Sequence, residues 1–455
     1  MNLTLEYIAH HTGGKILHHN GQTITNISTD SRNLKPGALF FALDGENFDG
    51  HNFILNAINQ GAAAVVVSKI TKDCTKAGVI LVPDTLEALQ NLAAGYRNDF
   101  QLPVVGVTGS VGKTTTKDIL ANCLSQDRKT LKTSGNFNNE IGLPLTLLDL
   151  EPDHQAAVVE LAMRAKGQIA KLALIARPTC AIITNVEPVH LETLGSLENI
   201  ALAKCEILEN IGPDGFAVIN GDNHLLVKTA AVFNCKKYTF GTNRDCDIEI
   251  VNISNAEAGI NIELRILDEK DVFYFPLPAP ELAGNVAAAA AAAYLLGVSI
   301  DDIKKGIKDF QCSHNRLHII DLPGGGKAIN DTYNANPVSV TAALQLACKL
   351  DRKARKVAVL GDMLELGTYE VPGHMKVGKM AAELGIDVLV ALGERSAHIA
   401  SAALEAGMEQ EAVKHFLDRD ECVTWLKKHV SKRDIVLFKA SRGMQLETLL
   451  EEWMS

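Results

Sequence analysis

The stretch "LPVVGVTGSVGKTTTKD", Leu102 to Asp118, constrains what this chain can fold into more than any other part of its sequence. It reads as an apolar strand, a glycine-rich turn and a helix starting at Lys113. That order belongs to parallel α/β layers, with ligands at the carboxyl ends of the strands. The N–H groups of such a turn, and the helix N-terminus behind it, aim at a phosphate chain. A strict phosphate loop, G-x-x-x-x-G-K-[ST], needs a glycine at 107. Val107 stands there instead, Gly106 lies one residue early and Gly109 falls inside the loop. On this reading Gly106, Val107, Thr108, Gly109, Ser110, Val111 and Gly112 wrap the phosphates of ATP. Lys113 gives a point charge to the terminal phosphates and the Thr114 hydroxyl ligates Mg²⁺. The competing reading is a glycine turn before an ordinary helix, and G-K-T-T directly after a strand argues against it.

A chain of 455 residues is too long for one ordinary core, so two or three domains are expected. Apolar residues make up 47% and charged residues 22%, the balance of a soluble globular protein. The net charge of −10 excludes nucleic acid as the main partner, because phosphate backbones need clustered Lys and Arg. Nine scattered cysteines without a C-x-x-C fit reduced thiols in a cytoplasm. The opening "MNLTLEYIAHHTGG" has neither the basic nor the apolar region of an export signal. The most apolar stretch, "NVAAAAAAAYLLGV", falls short of the roughly 18 residues of a membrane span and reads as a core helix. No membrane insertion is expected.

Apolar runs alternate with helical patterns throughout, which predicts an α/β protein of three domains. A small N-terminal α/β domain takes residues 1–100, with strands "ALFFAL", "AAAVVVS" and "GVILVP". A central P-loop domain with a parallel sheet takes 101–313, and a C-terminal Rossmann-like α/β domain takes 314–455. In the central domain "AAVVELA", "CAIITNV" and "FAVINGD" read as strands buried on both faces. Residues 246–276 instead alternate with period two, as an antiparallel flap or edge hairpin does.

Four positions carry chemistry in this frame. Glu160 ends "AAVVE" and suits a Mg²⁺ ligand at the loop's sheet edge, or a solvated strand end. Lys204 falls on the apolar stripe Ile200, Ile207, Leu208, Ile211. It is either a surface lysine snorkelling to water or an amine of lowered pKa, open to modification. His190 follows a strand at the same edge, as a metal ligand or a loop histidine. Asp331, after a short strand, either accepts from a ribose or closes a turn, and Asn336-Pro337 reads as a helix cap.

The loop spacing G-x-T-G-[ST]-x-G-K-[TS], together with "TDSRNLKPGALFFALDGENFDGHNFI", "GNFNNEIGLPLTLL", "HLETLGSLENIALAKCEI", "NDTYNANPVSVTAAL" and "LGDMLELG", resembles the Mur ligases of peptidoglycan synthesis. The resemblance covers nearly the whole chain. It implies an ATP-dependent amide ligase working through an acyl phosphate, on UDP-N-acetylmuramoyl-tripeptide and D-alanyl-D-alanine, in the cytoplasm and as a monomer. Lys113, His190, Lys204 and Arg316 are then catalytic. Thr114, Glu160, His190 and Lys204 hold two Mg²⁺ ions, with Lys204 N6-carboxylated. Asn285 contacts the nucleobase, Arg316 the γ-phosphate and Asp331 the ribose. Ser31, Arg32, Asn138, Asn139, Asp362, Lys439, Ser441 and Arg442 meet the UDP and peptide substrates. Ala162, Glu187, Gly284 and Ala440 depart from the residues usual in the family, three of them from glycine and Gly284 from histidine. A folylpolyglutamate-type ligase, another Mur-type ligase and a P-loop kinase are the rival expectations.

Overall fold

The computed structural model describes residues 1–45, 48–72, 74, 77–189, 191–312, 315–351 and 353–455. Three large sheets follow one another along the chain. The first has five strands in the order Lys15–His18, Gly78–Leu81, Ala62–Val67, Ala38–Phe41 and Asn26–Ser28. Only its first pair is antiparallel.

The central sheet has nine strands. Six parallel strands run Lys236–Gly241, Phe216–Asn220, Cys180–Ile183, Val104–Thr108, Ala156–Glu160 and Thr130–Lys132. Side chains alternate between two cores, as strand geometry requires. Val105, Val107, Val158 and Ile182 face one core, and Val104, Ala157, Val159 and Ile183 face the other. Each such side chain, taken fully out of water, contributes about 1.5–3 kcal/mol, so continuous Val and Ile runs commit these strands to a doubly covered sheet.

The alanine-rich stretch is the helix Ala283–Leu295, with Ala287 to Ala293 wholly buried against the helix Lys113–Leu124 that follows the glycine loop. Methyl side chains let the two axes approach closely, which fixes the loop helix from behind. The period-two region forms strands Ile248–Ala256, Gly259–Ile266 and Glu269–Phe275. They are an antiparallel meander at the sheet's edge, the edge hairpin of the two alternatives: the first of them pairs in parallel with Lys236–Gly241 and extends the central sheet.

The third sheet runs His318–Asp321, Lys327–Asn330, Ile435–Lys439, Lys356–Gly361, Val388–Leu392 and Val413–Phe416, parallel except at its first pair. The α/β class with a parallel central sheet is therefore the observed one. The expected junction at 313 and 314 lies outside the described residues.

Candidate active site

The strand Val104–Thr108 delivers its carboxyl end to the glycine loop, and the loop's shape depends on two glycines. Gly109 has φ +146°, and a Cβ there would lie 1.9 Å from Thr184 Oγ1. Gly112 has φ +84°, and its Cβ would lie 2.1 Å from Asn285 Nδ2. A side chain at either would be strained and would push out a polar neighbour.

The segment after strand Cys180–Ile183 holds the loop from the side. Asn185 accepts from Ser110 N–H through its carbonyl (3.1 Å) and from Val111 N–H through its amide oxygen (2.9 Å). Thr184 donates to the Val111 carbonyl at 2.6 Å, and the Ser110 hydroxyl accepts from Glu187 N–H at 2.9 Å. The leading N–H groups of the helix beginning at Lys113, ahead of Thr116 N–H on the Gly112 carbonyl, lack intrahelical partners by construction, and they form the anion-facing end. Lys113 Nζ donates back to the Gly109 carbonyl at 2.9 Å, a bond that a phosphate would replace.

Behind the lysine, Thr114 Oγ1 donates to Glu160 Oε2 at 2.7 Å and Asn138 Nδ2 donates to Glu160 Oε1 at 2.8 Å. Glu160 is 1% exposed, so the solvated strand end is excluded. A hydroxyl and a carboxylate in contact are the oxygen donors a hard dication takes, so Thr114 and Glu160 fit Mg²⁺.

Lys204, on helix Leu197–Cys205, is 2% exposed, which excludes a snorkelling lysine. Its amine makes no hydrogen bond or ion pair with a described residue. Burial, and after it the charge of Lys113, pushes its pKa well below the usual lysine range. Both causes favour the neutral, nucleophilic form of the amine. The Lys113 pKa is also lowered, by burial first, with Arg316 adding to it and Glu160 opposing. His190 lies outside the described residues.

The third domain brings a second group to this edge. The Arg316 guanidinium rests 3.8 Å from the centre of the Tyr333 ring, near enough to both Lys113 and Lys439 to disfavour their charge. Asp331 accepts from Lys439 Nζ at 2.5 Å and from Leu317 N–H at 3.2 Å. Lys439 is 2% exposed and also donates to the Asn334 carbonyl. Asp362 accepts from Ser396 N–H, Ser441 accepts from Leu364 N–H, and exposed Arg442 pairs with Glu447.

Asn285 donates to the Gly112 carbonyl and to Thr116, so it braces the loop. Asn139 Oδ1 accepts from the Ile141 and Gly142 N–H groups where the helix Gly142–Leu148 begins. In the first domain Ser31 is buried against Asn56, while Arg32 is exposed and bidentate on Asp30. The structure thus gathers the loop, Glu160, Lys204, Asn138, Asn285 and Arg316, and sets Ser31 and Arg32 apart on the first domain. Sequence reasoning missed Thr184 and Asn185, which hold the loop, and Tyr333 beneath Arg316. Thr184 and Asn185 follow a parallel strand at its carboxyl end, and that rule of position was the signal available for them.

A glycine loop between a parallel strand and a helix, with an acidic strand end beside it and an α/β domain on either side, defines a multidomain P-loop α/β protein. Family models match in sequence order: the "Mur ligase family, catalytic domain" over 23–97, the "Mur ligase middle domain" over 107–293 and the "Mur ligase, glutamate ligase domain" over 315–442. The chain belongs to the Mur ligase family. It is 39% identical to the UDP-N-acetylmuramoyl-tripeptide--D-alanyl-D-alanine ligase of Bacillus subtilis, over 94% of this chain and 93% of that one. The crystal structure of MurF from Acinetobacter baumannii superposes with a TM-score of 0.89 at 33% identity, covering 100% of this chain and 99% of that one. The MurF ligase of Thermotoga maritima, solved in complex with ADP, gives 0.81 at 29% identity, over 94% and 97%.

Proposed function

We propose that this chain joins D-alanyl-D-alanine to UDP-N-acetylmuramoyl-tripeptide, with ATP converted to ADP and phosphate, as a monomer in cytoplasmic peptidoglycan precursor synthesis. One arrangement carries the reading. Lys113, the Thr114–Glu160 pair and the buried Lys204, which has no polar partner among the described residues, converge on one loop, in a chain similar from end to end to ligases of that name.

A carboxylate is too poor an electrophile for amide formation. The tripeptide carboxylate oxygen therefore attacks the γ-phosphorus, the bond to ADP breaks, and an acyl phosphate forms. The dipeptide amine then attacks the acyl carbon, loses a proton, and phosphate departs. Lys113 leaves its loop carbonyl for the phosphate oxygens, and Arg316 adds a second positive charge from the third domain. Both reduce the repulsion between two anions.

Thr114 and Glu160 would hold one Mg²⁺, with Asn138 fixing the carboxylate. His190 and Lys204 would hold another, once the Lys204 amine has added CO₂ and lost a proton. The metal supplies charge neutralisation at the phosphates. Asn285 and Asp331 serve the nucleoside, and Asp331 reaches it by sharing Lys439. Ser31 and Arg32 serve the UDP group held by residues 1–100. Residues 101–313 hold ATP, and residues 314–455 receive the dipeptide, with Asn139, Asp362, Ser441 and Arg442 at the peptide ends. Closure of the third domain excludes water that would hydrolyse the acyl phosphate.

Phosphate release measured with the tripeptide substrate and the dipeptide, separately and then jointly, tests the reading. Release only with both is expected, and full turnover with one acceptor alone favours a kinase.

A further inference from the structure

Two polar groups on one face of the central sheet have no partner among the described residues. One is the Thr108 hydroxyl, wholly buried at the carboxyl end of strand Val104–Thr108. The other is the amine of Lys204. An orphaned buried hydroxyl costs free energy, and proteins satisfy nearly all such groups. The buried threonines Thr114, Thr133, Thr146 and Thr184 of the same domain all make hydrogen bonds.

Strand and helix geometry bring the two orphans to one place. Thr108 pairs with Ile183, and Ile183 and Val104 belong to the core that also holds Ile200, Ala201, Ala203 and Ile207. A Cβ on Gly106, which shares its face with Thr108, would meet Ile207 Cδ1 at 2.7 Å. Helix Leu197–Cys205 and the 3₁₀ turn Glu206–Asn210 after it therefore cover this face. They connect the parallel strands Cys180–Ile183 and Phe216–Asn220, so the chain runs back across the sheet, against the strand direction. Lys204 thus lies about 5 Å nearer the carboxyl edge than Ile207, and Thr108 about 6.6 Å nearer than Gly106. The register that seats Ile207 over Gly106 seats Lys204 over Thr108. Of the helix's buried residues, only Lys204 carries a side-chain nitrogen or oxygen. Amine and hydroxyl do not bond each other, and a planar group added to the amine extends it towards the hydroxyl.

We infer that Thr108 is a positioning residue for Lys204, its hydroxyl donating to the carboxylate that the lysine acquires from CO₂. The inference rests on the Lys204 carboxylation proposed above and deepens it. The amine lone pair attacks the carbon of CO₂, a carbon–nitrogen bond forms, one C=O electron pair moves onto oxygen, and the nitrogen gives a proton to water. One carboxylate oxygen accepts from Thr108 Oγ1, and the other stays free for a cation. The hydroxyl thereby favours the carboxylated lysine over the free amine, because in the free state it has nothing to bond.

The test is ¹³C NMR of the full chain in ¹³C-bicarbonate without nucleotide or metal, reading the carbamate signal that Lys204→Ala lacks. Thr108→Val keeps the shape and removes the donor. It is expected to raise the bicarbonate concentration for half-carboxylation roughly tenfold, whereas Thr108→Ser stays within about threefold of the unmodified chain. The melting temperature of Thr108→Val in CO₂-free buffer holds or rises, since an orphaned hydroxyl is lost. Thr108→Ala, set against Thr108→Ser, repeats the comparison without the branched side chain, and the same loss is expected. Carboxylation of Thr108→Val and Thr108→Ala equal to that of the unmodified chain overturns the inference and leaves the modification standing. An equal loss in Thr108→Ser and Thr108→Val also overturns it, as the mark of packing rather than of the hydroxyl. If the unmodified chain gives no carbamate signal at any bicarbonate concentration, the carboxylation of Lys204 itself falls, and the role of Thr108 with it.

Discussion

At the carboxyl edge of the central sheet the charged side chains are positioned without being neutralised, whereas at the matching edge of the third sheet they are matched with one another. Among the described residues Lys204 is buried without a polar partner and Lys113 bonds the carbonyls of the loop. Lys439, equally buried, is tied to Asp331 and Asn334, and Asp362 and Ser441 are bonded to backbone N–H groups. Both edges come from the same parallel architecture. The difference lies in where the countercharge comes from: inside the chain for the third sheet, from a ligand for the central one. An unmatched buried amine costs stability, and a site that must bind phosphates retains that cost as preorganised attraction.

The contrast breaks most sharply at Lys204. Lys204→Ala is expected to lower ligation by at least on the order of 10³-fold, with partial recovery on adding small carboxylates, while the melting temperature holds or rises. Full activity in that variant removes the carbamate proposal. The same type of change at Lys439 should reverse the pattern. Lys439→Met strands Asp331 as an unpaired buried charge and lowers stability by about 3–5 kcal/mol, read from urea midpoints. If Lys439→Met is neutral, the two edges do not differ as argued. Asn138→Ala sharpens the central side, because it frees one oxygen of Glu160 without touching the phosphates. Mg²⁺ affinity, measured by titration of ATP turnover, should fall about 10–100-fold.

The same contrast explains what the sequence disclosed. Gly109, Gly112, Lys113 and Thr114 are legible because their spacing follows from the loop's own backbone, within one strand–turn–helix unit. The alanine run and the Val and Ile strands are legible because burial on both faces leaves a continuous apolar signature. The state of Lys204 was left open, since the apolar stripe it falls on continues through Ile207 and Leu208, which lie on a 3₁₀ turn that a helical period does not describe. Asn185 and the Asp331–Lys439 pair were hidden for a related reason. Their partners are 74 and 108 residues away, and no local pattern records such a contact. The period-two strands were typed correctly but left between a flap and an edge hairpin, because alternation reports a half-exposed strand and not which sheet it joins.

The smallest expected effect decides on which side of the contrast Arg32 belongs. Its bidentate bonds hold the Asp30 carboxyl at about 2, below its ordinary range. A depressed carboxyl adds stability that is fully present above its unfolded value near 3.9 and fades as pH falls from about 4 towards 2. Arg32 and Asp30 are 85% and 47% exposed, so solvent screening keeps that contribution below about 1 kcal/mol. Arg32→Ala should therefore barely move urea midpoints at pH 7, and should slightly flatten their decline between pH 5 and pH 3. Its KM for the UDP substrate should nevertheless rise, since a guanidinium held rigid by Asp30 yet open to solvent is poised to take a phosphate. A stability loss of several kcal/mol with an unchanged KM would instead place Arg32 with Lys439, among the charges the fold keeps for itself.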